Sequence, residues 1–232
     1  GGMGTAGGVT NFAGLYGRRG GQMQQLVHGV VDELLDRIDR LGGLNDPQDG
    51  LQGRIRVRSY DVAAYKCAAD GLVLDAGVQL LFHAWAAGVV MAGELIDAVL
   101  LETKSGRVAV KARQVIDCSG DADVAHAAGA AFTYGDGAGN ALYPSTMFRI
   151  GQVDAPRAQA AVGEFKAIDG LMERAASRYA FPRRGAILRP QRNPSEWRAN
   201  VTQLRNAQGL AANATDAAEL SAAEVDGRRQ IT

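Results

Sequence analysis

At 232 residues the chain has room for one sizeable domain or two small ones, and its 47% hydrophobic content supplies a core. The 25 Lys and Arg residues balance 25 Asp and Glu, which argues against nucleic acid or an anionic membrane surface as partner. Cys67 and Cys118 form neither a disulfide framework nor a CxxC metal site, and read as reduced, partly buried thiols of a cytoplasmic protein.

Residues 1–21 are rich in glycine, which predicts a loop with close backbone approaches rather than helix or strand. The opening inside such a loop, without an initiator Met, and the abrupt end at Gln230-Ile231-Thr232 read as a fragment. Leu26, Val30, Leu34, Ile38 and Leu41 form one apolar stripe, which predicts a helix over 22–41 stopped at Gly42-Gly43. A second helix is expected over 61–76, with Ser59 or Asp61 as N-cap and Gly77 as its end. Val78–Trp85, Gly88–Met91, Leu95–Thr103 and Val108–Lys111 are β-prone runs between turn residues, which predicts a meander. The apolar part of this region, Leu80 to Gly93, is shorter than the ~20 residues of a membrane span.

Val115–Cys118 reads as a short strand leading through Ser119-Gly120-Asp121 into a helix over 122–128. A domain boundary is placed near Tyr143, after the glycine patch at 135–139. Beyond it Thr146–Ile150, Ala186–Arg189 and Trp197–Leu204 read as strands. Residues 156–179 read as a broken helix, and 215–229 as a helix capped by Thr215.

Gly2-Met3-Gly4-Thr5-Ala6-Gly7 matches G-x-G-x-x-G, yet no strand precedes it and Gly8-Val9-Thr10-Asn11-Phe12 is no helix, so it is not a primary dinucleotide fingerprint. Two readings stay open: glycines needed only for tight turns, or a loop whose N–H groups and Thr5 and Thr10 hydroxyls approach a pyrophosphate or a ring. At the second turn Gly120 lets the backbone come close, while Asp121 either accepts a ribose hydroxyl or caps the helix. Arg183, Arg184, Arg189 and Arg192 stand among Pro182, Pro190 and Pro194. They form either a solvated loop or a bidentate clamp for a carboxylate substrate. His28, His83 and His126 read as structural, with Tyr143 and Asn200 equally remote from acid–base roles.

Taken in order, GGMGTAGGVTNFAGLYG, YDVAAYKCAADGLVLDAGVQLLFHA and QVIDCSGDADVAHAAGA resemble the FAD-dependent oxidoreductase family, related to the fumarate-reductase and heterodisulfide-reductase flavoproteins. The runs YPSTMFRI, FPRRGAILRP, WRANVTQLRN and LSAAEVDGRRQI resemble that family's substrate side. The resemblance implies an α/β fold: an incomplete parallel-sheet FAD-binding domain with a β-meander over 1–142, and part of a mostly β substrate domain over 143–232. It implies that the first strand and the pyrophosphate-binding G-x-G-x-x-G lie upstream of Gly1. It places Gly2, Gly4, Thr5 and Ala6 along the pyrophosphate and flavin, Ala86 against adenine, and Gly120 and Asp121 near the adenosine half. It leaves Arg183, Arg184 and Arg189 for the substrate.

The implied activity is hydride transfer from a small organic substrate to FAD, with electrons passed to an acceptor of unknown identity. The alternative is a non-catalytic nucleotide-binding or assembly module. Some relatives carry an iron–sulfur cluster, but two distant cysteines cannot ligate one, and residues 1–21 lack the cysteine pair of a disulfide reductase. The 232-residue piece by itself is expected to be inactive and prone to aggregate.

Overall fold

The computed structural model describes residues 2–50, 53–137, 140–162, 167–182 and 186–232. They form two compact units: Gly1–Val78 with Tyr143–Ala212 and Ser221–Thr232, and Gln79–Leu142 with Asn213–Leu220.

In the first unit the glycine-rich opening is structured, contrary to the expected loop. It contains a one-turn helix α1 (Gly2–Thr5) and strands β1 (Asn11–Ala13), β2 (Tyr16–Arg19) and β3 (Gln22–Gln25). β2 and β3 pair across Gly20-Gly21, which sit at φ 58° and 80°. A two-residue hairpin loop with both φ values positive is the turn that matches strand twist, and glycine is its natural occupant. The hairpin takes residues that the apolar stripe assigned to a helix. Helix α2 therefore runs only Val30–Arg40, and Leu26 and Val27 are left exposed. Asp32 sets the start, its carboxylate accepting a 2.9 Å hydrogen bond from the Gly29 N–H.

β4 (Gln48–Gly50), β5 (Ile55–Ser59) and α3 (Val62–Asp75) follow, with an antiparallel sheet in the order β1-β5-β4. Asp61 caps α3 as expected, accepting from the Ala64 N–H at 2.9 Å. Helices α2 and α3 pack together over a core of Leu15, Leu35, Ile38, Leu44, Tyr60, Tyr65 and Ala68.

The second unit holds the meander: β6 (Ala84–Ala92), β7 (Leu95–Thr103) and β8 (Gly106–Val110), antiparallel in that order, with α4 (Asp123–Ala127) packed on β6. Two expected strands are one, because β6 continues through a register shift between Ala86 and Gly88. The residues before Ala84 stay outside the ladder, and His83 turns the chain at φ 54°. Val115–Cys118 is not a strand. Among the described residues it has no ladder partner, and Ile116 is 84% exposed. Apolar character makes a strand only where a neighbour takes its backbone groups.

β9 (Phe148–Ile150), α5 (Ala155–Val162), α6 (Ile168–Ala175), β10 (Ile187–Pro190), β11 (Trp197–Asn200) and α7 (Ala217–Arg229) complete the chain. β11 is the centre of an antiparallel sheet ordered β10-β11-β9, and Trp197 packs with Val162 and Ile168 beneath it. Asp216, not Thr215, caps α7. Its Oδ1 accepts from the Glu219 N–H at 2.7 Å, while the Thr215 hydroxyl donates to Asn213. The chain thus mixes helix and strand as an incomplete α/β FAD-binding domain does. Every named strand pairing among the described residues is antiparallel. Cys67 and Cys118 are free and exposed rather than partly buried: Cys67 lies on the outer side of α3, and Cys118 on the unpaired segment before α4. No helix among the described residues is long and apolar enough to cross a membrane.

Candidate functional site

Gly2, Gly4, Thr5 and Ala6 share one tight turn, in which the Ala6 and Gly7 N–H groups donate to the Gly2 carbonyl at 2.9 and 2.8 Å. The glycines there answer to different demands. A Cβ on Gly4 would stand 2.8 Å from the Tyr60 Oη and 3.3 Å from Tyr65, so packing excludes a side chain. A Cβ on Gly2 would meet nothing within 4 Å. Tyr60 anchors the turn: its hydroxyl donates to the Val9 carbonyl at 2.6 Å, and its ring stacks with Phe12 and Tyr65 at centroid distances of 4.6 and 4.9 Å. Burial, reinforced by the neighbouring Tyr65, pushes the Tyr60 phenol up to about 12.

Below this turn lies a polar group that the sequence reading passed over. Arg198, on the central strand β11, is 5% exposed. Its Nη2 donates to the Asn11 Oδ1 at 2.8 Å and its Nη1 to the Met147 sulfur at 3.3 Å. Among the described residues its Nε is buried without a partner, as is the hydroxyl of Thr10, the residue before Asn11. Arg189, an expected substrate residue, sits directly opposite Arg198 in the β10–β11 register and donates from Nη1 to the Leu188 carbonyl at 2.8 Å. Burial lowers the pKa of both guanidiniums, and the Arg189 charge lowers that of Arg198 further. Arg183 and Arg184 lie outside the described residues. Arg192 ties its Nε to the Gly42 carbonyl just past α2, which suits a cation at a helix C-terminus better than a clamp.

In the second unit Gly120 has φ 104° with open space where a Cβ would point, so its conformation demands glycine and no neighbour crowds it. Asp121 is exposed and is not the helix cap. Asp117 is the residue that holds the turn: its carboxylate accepts from the Ser119 N–H at 2.9 Å, the Ser119 hydroxyl at 2.7 Å and the Ala125 N–H at 2.9 Å. These bonds, led by the Ser119 hydroxyl, lower its pKa to about 2. Ala122, between Asp121 and α4, is left-handed at φ 60°. Ala86 is half-buried opposite Leu101 at the β6 register shift, and the packing of α4 on β6 brings its strand beside the helix that follows Gly120 and Asp121.

The remaining expected residues make local contacts. His28 precedes α2 and lies 3.2 Å from Asp32, and His126 meets the Phe132 ring edge-on. The Tyr143 hydroxyl donates to the Gly209 carbonyl, and the Asn200 Oδ1 accepts from Ser145. A cleft of about 750 Å³ runs along α6, lined by Asp169, Met172, Glu173, Tyr179 and Phe181 among others. None of the described site candidates lines it, and its two carboxylates suit it poorly to an acidic ligand. Among the described residues no group of three or more His, Cys, Asp or Glu side chains is arranged to hold a metal ion.

No curated protein and no solved structure matches the chain. The family model described as FAD dependent oxidoreductase matches residues 1–232, the whole length, and the chain therefore belongs to the FAD dependent oxidoreductase family.

Proposed function

We propose that the chain acts within an FAD-dependent oxidoreductase of the cytoplasm, which takes a hydride from a small organic substrate and passes the electrons to a separate acceptor. The observation that carries this reading is the family match over the full 232 residues. Bound FAD would supply the hydride-accepting centre, and the protein its position and surroundings.

The residues present fit such a group in each unit taken by itself. In the first, Gly2 leaves its approach open, and the Thr10 hydroxyl is buried with no partner among the described residues. In the second, Gly120 is equally open and Asp121 is exposed. Gly2, Gly4, Thr5 and Ala6 would hold the pyrophosphate and flavin, with Gly4 serving Tyr60 as well. Ala86 would meet adenine through its backbone, Gly120 and Asp121 would meet the adenosine half, and Arg189 would meet the substrate. In the same reading, 1–142 serves the cofactor and 143–232 the substrate. The 2.8 Å bond from Arg198 to Asn11 supports direct contact between those two parts.

The test is flavin binding by the purified chain. Saturable quenching of FAD fluorescence, weakened by Gly2→Val and separately by Asp121→Asn, supports the reading and overturns the expectation that the 232-residue piece is incompetent by itself. A chain that neither copurifies with yellow absorbance nor quenches added FAD overturns the reading.

A further inference from the structure

The cleft of about 750 Å³ along α6 has the volume of a small-molecule pocket, for which about 300–1,000 Å³ is usual. One wall is a face of α6 and its cap. Asp169, Met172, Glu173 and Ala176 follow at the three- and four-residue spacing that stacks side chains on one side of a helix. Met172 is half-buried and packs against the core of Val162, Ile168 and Trp197, so this wall is fixed to the fold. The other wall is the chain just past the helix. It carries the exposed rings of Tyr179 and Phe181, with centroids 6.0 Å apart and planes tilted by 40°.

The charge on the described lining is of one sign. Asp169 and Glu173 stand one helical turn apart, where like charges repel, and a cation between them relieves that repulsion. Arg174 and Arg178 belong to the same stretch but are not among the described lining residues. The Arg178 guanidinium lies instead 5.4 Å from the centre of the Tyr179 ring, so this ring takes a cation in the folded chain. The cleft also runs past the C-terminal end of α6, the negative end of the helix dipole, which again favours a cation.

We propose that this cleft binds a small organic cation, an ammonium group carried on an apolar body. The Asp169 and Glu173 carboxylates meet the ammonium, and Tyr179, Phe181 and Met172 cover the apolar part. The cleft lies within 143–232, the part read above as serving the substrate, yet the proposal stands without that reading and without a bound flavin.

The experiment is isothermal titration calorimetry of the flavin-free 232-residue chain with benzylamine, benzyl alcohol or sodium benzoate, at pH 7 and matched ionic strength. An alkylamine is protonated at that pH, so the three probes share a ring and differ in charge. Saturable binding of benzylamine is expected, about tenfold tighter than benzyl alcohol, with benzoate weakest. Asp169→Asn keeps the side-chain shape and removes one charge. It should weaken benzylamine by about two- to fivefold, the scale of an exposed ion pair, and leave benzyl alcohol unchanged. Tyr179→Leu should weaken benzylamine by about two- to fivefold or more, since a cation–π contact and a stacking face go together. Far-UV circular dichroism of both variants checks that the fold is kept. No binding of benzylamine, benzyl alcohol or benzoate binding as tightly, or a charge preference that Asp169→Asn leaves intact overturns the proposal. FAD quenching on the same preparations keeps the two ideas apart: FAD binding without amine binding sinks this site alone, and amine binding without FAD binding sinks only the cofactor reading.

Discussion

Gly4 separates a glycine kept for a cofactor from one kept for packing. Gly4→Ala would place a methyl 2.8 Å from the Tyr60 Oη, against the 3.4 Å at which ordinary contact begins. The tyrosine cannot swing aside freely. Its hydroxyl is held by the Val9 carbonyl at 2.6 Å, and its ring by Phe12 and Tyr65. Overpacking of this kind costs about 1–3 kcal/mol. Tyr60→Phe removes the nearest atom and loses one hydrogen bond, at about 1 kcal/mol. The double variant should therefore be about 1–2 kcal/mol more stable than the two single losses combined, since the clash is absent from it. Urea unfolding followed by Trp197 fluorescence in a Trp85→Phe background reports on the unit concerned, because Trp197 is 2% exposed there and Trp85 lies in the other unit. A Gly4→Ala cost below about 0.5 kcal/mol, additive with Tyr60→Phe, would refute the packing explanation. If FAD binding then fell while stability held, Gly4 would be a cofactor glycine instead.

The Tyr60 phenol is raised to about 12 from an ordinary 10.0, so the folded state keeps its proton longer than the unfolded chain does. Its contribution is full below pH 10 and lost as pH rises toward 12; alkaline unfolding of Tyr60→Phe should lack that part of the pH dependence. Asp117, held near 2 from an ordinary 3.8, works in the opposite sense. Its contribution is present above pH 3.8 and lost as pH falls toward 2. Asp117→Asn should speed hydrogen exchange at the Ala125 amide and flatten the acid limb. Gly43→Ala would drive a methyl into the Ala64 Cβ where the end of α2 meets α3, at about 1–3 kcal/mol; Ala64→Gly should recover part of it in chemical denaturation. Ala122→Gly should gain about 1 kcal/mol by relieving a left-handed alanine at φ 60°, read as a raised Tm.

Much of the local structure was legible from residue order. The cap at Asp61, the strand Leu95–Thr103 and the broken helix over 156–179 follow from signals that reach only a few residues. The misreadings lie where geometry and not residue order decides. The apolar stripe from Leu26 ignored the Gly20-Gly21 hairpin, which claims residues 22–25 first. Val115–Cys118 looked like a strand but has no neighbour to pair with among the described residues. Thr215 looked like a cap, while Asp216 reaches the amide; at the second turn, where Asp121 was open to capping or to a ribose, Asp117 reaches the Ala125 amide. At the hairpin and at the α7 cap an alternative only a few residues away won on geometry that spacing does not encode, whereas Val115–Cys118 lacked a partner strand among the described residues. A cue for the Asp117 turn was present, since Asp two residues before Ser favours a side-chain-bonded turn.

The order of the glycine motifs along the chain was by itself enough to place the protein among FAD dependent oxidoreductases, because family membership is carried by residue types in sequence. The row that Arg149, Arg198 and Arg189 form across the last sheet was hidden for the opposite reason. Each of F-R-I, L-R-P and W-R-A is unremarkable alone, and positions 149, 189 and 198 become neighbours only through cross-strand register. The packing around that register also makes Arg198 a buried charge, whose partners among the described residues are Asn11 and Met147. Charge is a property of the residue, but desolvation and pairing are properties of the surroundings that folding supplies.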